Sequence, residues 1–256
     1  MYSRLFIMAI VALIAGACQE KIDIKLKNAG PYVVIEGNLS DNIAEPARVF
    51  VTESADYSDT MFFHPLHDAI VTISDGLLTD TLKEINTTGI YLSPNIHAVV
   101  GKSYKLSVFV KGQLYESISA VNPPVNIDSI YKSTSNSNKN RLSFNFRDPL
   151  GVTNYYKVGI QVNGLERGID NVADDRLTDG KLKTLTINPG FEFQANDSIN
   201  LSLLSVDQGV YTYFYTLNQN TGRNSGAPAN PVSNITNGAL GYFNAYSVTT
   251  KKFIYP

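Results

Sequence analysis

The chain has 256 residues with 21 basic and 23 acidic side chains, a net charge of −2, three histidines, one cysteine and no tryptophan. Hydrophobic residues make up 43% and charged residues 17%, against about 25% charged in an average soluble domain, so the bulk of the chain has the material for a packed core and is not intrinsically disordered. The absence of excess basic charge argues against nucleic-acid binding, and a lone Cys18 excludes a disulfide framework and any cysteine-based metal site.

Arg4 precedes an unbroken apolar run, Leu5 to Ile14, followed by the small residues Ala15-Gly16-Ala17 and then Cys18. The run is about half the roughly 20 residues of a spanning helix and reads as a secretory signal over 1–17. Small residues directly before a cysteine resemble the lipobox of bacterial lipoproteins, with Ala15 where leucine is commonest. That resemblance implies acylation of Cys18 as the new first residue. The rival reading, an ordinary signal peptide, leaves a stray thiol in an oxidising compartment. Several acyl chains make a stable anchor where one does not. Gln19 after the cysteine, rather than aspartate, favours the outer membrane as destination, with the periplasmic or extracellular face left open. Residues 18–31 form the expected tether.

From Tyr32 the pattern alternates with period two in short runs rich in Val, Ile, Tyr, Phe and Thr, which predicts strands. They span 32–36, 47–52 and 69–74, then Asp75-Gly76 as a two-residue hairpin turn with a return strand over 77–83. Strands at 89–92, 103–110 and 114–121 follow, the last two joined at Lys111-Gly112. Asn122-Pro123-Pro124 breaks the pattern, because neither proline donates a ladder hydrogen bond, and marks a domain boundary. Beyond it lie strands at 127–131, 142–146, 155–162 (ending at Asn163-Gly164) and 198–206, with a polar loop over 133–140. The polar segment 170–183 has room for a short helix. Asp207 as a cap and Val210, Tyr213, Phe214 and Leu217 at helical spacing predict one helix over about 208–221. A loop over 224–237 and a strand over 242–249 complete the chain. The expected architecture is all-β: two tandem Ig-like or fibronectin-III-like sandwiches over 32–122 and 125–256, with the helix in the second.

Motifs for chemistry are sparse. No G-x-S-x-G, H-E-x-x-H or phosphate loop occurs, so no catalytic residues, cofactor or metal site are assigned. His64-Pro-Leu-His67 has no visible third ligand and reads as a solvated loop pair. Asp170, Asp174, Asp175 and Asp179-Gly180 do not match a spaced calcium loop and read as a solvated polar loop. Among 15 tyrosines and 12 phenylalanines some would suit a sugar-stacking platform, yet tryptophan, the commonest residue for that task, is absent, and most tyrosines alternate with polar residues and are expected on the sandwich faces. Asp59-Thr-Met61, Asp80-Thr-Leu82, Asp128-Ser-Ile130 and Asp197-Ser-Ile199 resemble the O-glycosylation acceptor of exported Bacteroidetes proteins. They fit strand-entry turns equally well.

Several blocks together resemble a family of Bacteroidetes lipoproteins known as domain of unknown function 4249: Cys18 with Ile22-Asp-Ile24, Val33-Val-Ile-Glu-Gly37, residues 69–73, Gly89-Ile-Tyr91 and 101–108. Most specific are Asn230-Pro231, Ser233-Asn-Ile235 and 238–248 near the C-terminus. The resemblance implies a role beside a TonB-dependent outer-membrane receptor in nutrient uptake, with no catalytic residues to carry over and no ligand named. Segment 238–248 is expected to close the second sandwich against the helix, the alternative being a docking surface. Function is thus expected to be that of a non-enzymatic, lipid-anchored accessory protein partnered with a TonB-dependent receptor. A structural or adhesive surface protein and, last, a hydrolase are the rivals.

Overall fold

The computed structural model describes residues 31–55, 63–134, 140–168, 171–187, 190–221 and 229–256. Cys18, the 59–61 motif and Asp170 lie outside the described residues. Pro31–Pro256 forms one compact unit. Its elements are β1 Val33–Ser40, β2 Ala47–Glu53, β3 His64–Pro65, β4 Ile70–Ser74, β5 Thr79–Glu84, β6 Ile90–Ser93, β7 Ser103–Val110 and β8 Gln113–Ala120. There follow β9 Ile127–Thr134, β10 Asn140–Arg147, β11 Tyr155–Val162, β12 Leu165–Arg167, β13 Val172–Asp174, β14 Leu182–Ile187, β15 Ser198–Val206, α1 Gln208–Thr221 and β16 Leu240–Ile254. The protein is all-β with a single described helix.

Alternation becomes burial directly. β7 buries Tyr104, Leu106, Val108 and Val110 and turns every other side chain outward; β11 buries Tyr156, Val158, Ile160 and Val162 in the same way. β11 and β12 meet at Asn163-Gly164, with φ of 52° and 80°, the pair of left-handed residues that a type I′ turn requires. At Asp75-Gly76 the structure corrects the expectation. The turn takes four residues, because the Asp75 carboxylate accepts the N–H groups of Leu77 (3.0 Å) and Leu78 (2.8 Å), and the return strand starts at Thr79. The room for a helix in 170–183 is filled instead by β13, a turn in which Thr178 N–H donates to the Asp175 carbonyl at 2.7 Å, and β14.

One long sheet runs in the order β12-β11-β15-β16-β1-β2-β6-β5-β4-β7-β8, with β13 on β11 and β3 on β2; a second, three-stranded sheet runs β14-β10-β9. The long sheet curls, since inward residues of β1, β2, β4, β7, β8 and β16 share one core. A second core lies between β11, β15 and the small sheet, filled by Phe144, Phe146, Tyr156, Phe193 and Tyr255. The small sheet's two edge strands, β9 and β14, each carry an inward lysine. Lys132 lies over the Tyr255 ring at 5.2 Å, and Lys183 Nζ donates to the Thr178 hydroxyl at 3.1 Å. An inward charge on an edge strand discourages pairing with another chain.

The break at Asn122-Pro124 falls between the two cores, but the halves share their last strand. β16 pairs in parallel with β1 through Leu240–Tyr246 and then antiparallel with β15 through Ser247–Ile254. Its Phe243 and Ala245 belong to the first core, so segment 238–248 closes the first half as well as packing on the helix. Two backbone N–H groups of β16 are met by side chains: Phe243 N–H donates to Asn234 Oδ1 (2.9 Å), and Ala245 N–H to Ser119 Oγ (2.9 Å).

Candidate functional site

Helix α1 starts where Asp207 Oδ1 accepts the Val210 N–H at 2.9 Å. Val210 and Phe214, one turn apart, bury against Val206, Leu204 and Val172, which seats the helix on the face of the long sheet opposite the cores. This leaves tyrosines along both flanks. On one, Tyr211 packs on Tyr155 (ring centres 5.0 Å apart) and Tyr215 on Tyr211 (5.6 Å). The Tyr211 hydroxyl donates to Asp174 Oδ2 at 2.8 Å, and that oxygen also takes Arg176 Nε at 2.7 Å. On the other flank Tyr242 of β16 meets Tyr213 (5.1 Å) and Phe214 (4.8 Å).

The floor beside Tyr242 follows from strand parity. In β1 the residues Val33, Ile35 and Leu39 point into the core, so Glu36 and Asn38 face the helix side. The parallel register sets Glu36 opposite Tyr242, Asn38 opposite Asn244 and Ser40 opposite Tyr246. Asn38 Nδ2 donates to the Tyr242 hydroxyl across a long 3.4 Å, and the Tyr246 hydroxyl donates to Glu45 Oε2 at 3.3 Å. Asn244 is 1% exposed and its Oδ1 finds no donor among the described residues. Burial pushes the Glu36 carboxyl up, with the nearby Arg48 charge partly offsetting it.

The tyrosines carry a pH signature. Burial and then the Asp174 contact push the Tyr211 hydroxyl up to about 12; burial drives Tyr246 and Tyr156 higher still. An unfolded tyrosine ionises near 10, so the folded state holds these protons more tightly and its stability is complete below that pH. Thermal melts are therefore expected to be flat from pH 7 to about 9.5 and to fall as pH rises through 12, less steeply in Tyr211→Phe. A midpoint unchanged at pH 12 would contradict this.

The acidic segment is organised differently from the solvated loop expected. Asp175 is buried, and it converges with Asp179 and with Asp148, which the sequence reading did not single out; their carboxylate oxygens lie within 4.8 Å of one another. Asp148 accepts the Tyr156 hydroxyl (2.5 Å) and Gly180 N–H (3.3 Å), Asp175 the Asn154 N–H (2.7 Å) and Asp179 the Gly151 N–H (2.7 Å). These donors let three carboxylates share one place and tie the 148–154 loop to the 175–180 turn. Asp174 points away from them to Tyr211.

Of the expected solvated loop pair, His67 does sit exposed in a loop, while His64 is half-buried in a strand. His64 lies in β3 opposite Glu53, and His67 Nδ1 sits 2.7 Å from Glu84 Oε1, a contact that lowers the Glu84 carboxyl. Among the described residues no third metal ligand joins them. Of the Asp-Ser/Thr motifs, Ser198 opens β15 and Thr81 lies exposed inside β5. Asp197 caps its own turn by accepting the Gln194 N–H at 2.8 Å.

Residues 19–252 match the family described as Domain of unknown function (DUF4249). The match covers most of the chain, which belongs to that family. No curated protein matches the chain.

Proposed function

We propose that this DUF4249 protein is a lipid-anchored accessory protein of the outer membrane that binds rather than catalyses, and works beside a TonB-dependent transporter in nutrient uptake. The observation that carries the reading is the N-terminal pattern: a ten-residue apolar run, Ala15-Gly16-Ala17, and the chain's lone cysteine at 18, with the family match opening at the next residue. Among the described residues no helix is long and apolar enough to cross a membrane; in this reading acyl chains on Cys18 are the attachment. A binding role is supported by the helix face. Half-buried tyrosines gather there beside amides and carboxylates, the residue types that combine large contact area with hydrogen-bonding tips.

The test is affinity capture of the C-terminally tagged chain from its native membrane in mild detergent. Recovery of a TonB-dependent barrel is the expected result; its consistent absence, with the tagged protein intact, would overturn the partnership.

A further inference from the structure

We propose that an apolar rim at the end of the first core where the chain enters β1, made by Tyr32, Phe63, Ile70, Phe109 and Leu114, rests in the surface of a lipid bilayer. The inference adds a second membrane contact to the lipid-anchored reading and rests on it, but not on the transporter partnership.

The rim follows from strand parity and register. In β4, β7 and β8 the side chains of Val71, Val108 and Tyr115 point into the first core, so their neighbours Ile70, Phe109 and Leu114 point outward. Ile70 is paired with Phe109, and Phe109 with Leu114, which makes one apolar row across three strands. Ile70 is 59% exposed, and the other two are exposed as well. Phe109 and Leu114 flank the Lys111-Gly112 turn, and Lys111 Nζ meets Glu53 Oε1 at 2.5 Å. Glu53 in turn pairs with Val33 on one side and with His64, the residue after Phe63, on the other. The Ser54 N–H donates to the Tyr32 carbonyl at 2.9 Å. The row is thereby fastened beside Tyr32 and beside Phe63, which is 60% exposed and packs its ring on Phe50 at 6.0 Å.

The place where the chain enters the fold selects a bilayer as the occupant. With acyl chains on Cys18, only residues 18–30 separate the lipid from Tyr32 and the rim, a reach of at most about 45 Å when fully extended. Exposed Leu77 and Leu78 stand at the opposite end of the same core. A lipid contact there would spend about 26 Å of that reach on running back along the eight residues of β1. Because an anchor makes the second contact intramolecular, a rim too small to hold the protein by itself still sets its pose. The charges beside the rim are neutralised in place, Lys111 by Glu53 and Lys105 by Glu116 at 2.6 Å. The contact therefore draws on apolar area and on aromatic rings, which suit a boundary between acyl chains and headgroups, rather than on anionic lipid.

The chain has no tryptophan, so a single introduced one reports alone. Phe63→Trp and Phe109→Trp place it on the rim and Leu77→Trp at the opposite end, each at an exposed position. The full chain, purified with its own anchor, is reconstituted in phosphatidylcholine vesicles whose acyl chains carry bromine, a quencher that acts at close approach. Phe63→Trp and Phe109→Trp are expected to lose about half of their emission relative to unbrominated vesicles, and Leu77→Trp almost none. The loss should be the same between about 0.1 and 0.5 M salt. Adding Ile70→Asp and Leu114→Asp to the Phe63→Trp chain should restore the emission while circular dichroism and melting report an intact fold; Leu114→Asp alone keeps the test usable if the double change does not fold. Unquenched emission at both rim positions, quenching at 77 instead, or quenching that survives the aspartates in a folded chain would each overturn the proposal. So would shielding of the rim tryptophans that rises with protein concentration before vesicles are added, which would give the rim to a second copy of the chain. If Cys18 proves unmodified, its thiol is coupled to a maleimide phospholipid and the quenching repeated. Quenching at 63 and 109 then removes the acyl anchor and leaves the rim, whereas its absence on an anchored chain removes the rim and leaves the anchor.

Discussion

Gly241→Ala is expected to destabilise the protein by about 4 kcal/mol, the largest effect of any single substitution considered. Gly241 has φ of +100°, where a side chain is strained, and a Cβ there would lie 2.0 Å from the Ile35 carbonyl oxygen and 2.8 Å from its carbon. Both atoms are backbone of β1, which is held in register with β2 on one side and β16 on the other. The clash cannot be relieved by a rotamer change; it has to shift a strand that closes the first core. Chemical denaturation of the wild type and the variant measures the difference. A loss under about 1 kcal/mol would mean that β1 and β16 are not paired as described.

Asp207→Ala is expected to cost about 3 kcal/mol. One carboxylate oxygen caps α1 through the Val210 N–H, an interaction worth about 1 kcal/mol. The other accepts the Ser119 hydroxyl at 2.5 Å and the Ala120 N–H at 3.2 Å, both from β8. Truncation leaves those donors unmatched, and Ser119 is 1% exposed. The same residue therefore starts the helix of the second half and fastens it to the edge of the first. Asp207→Asn keeps the oxygen for the cap and loses one acceptor, so it should fall between the two. A variant as stable as wild type would show that the cap and the β8 contacts carry no net weight.

What was legible in the sequence was local. Period-two burial in β7, β11 and β15 reads directly off Tyr104 to Val110, Tyr156 to Val162 and Ile199 to Leu203, because one face of each strand meets a core. The helix was legible too, since Asp207 and the stripe from Val210 to Leu217 obey helical spacing and capping chemistry. Pairings between distant segments were not. Nothing local in Leu240–Tyr246 announces a parallel partner in Val34–Ser40, and that partnership is why the two halves share a strand. The candidate site was hidden for the same reason. Glu36 and Asn38 look like ordinary outward positions of a strand, and Tyr213, Tyr242 and Tyr246 like ordinary amphipathic ones, until the register sets them side by side. Asp148 carried no motif, because the loop that brings it to Asp175 and Asp179 is closed by backbone N–H groups rather than by a spaced acidic pattern.

The claim on which the functional reading depends is that a lipid on Cys18 holds this protein to a membrane. Fractionation of cells carrying the wild-type chain or Cys18→Ser, with mass spectrometry of the purified N-terminus, tests it most directly. The wild type should sediment with the outer membrane and bear acyl chains on Cys18, whereas Cys18→Ser should appear in the soluble fraction without them. An unmodified Cys18, or equal membrane recovery of the two proteins, would contradict the account.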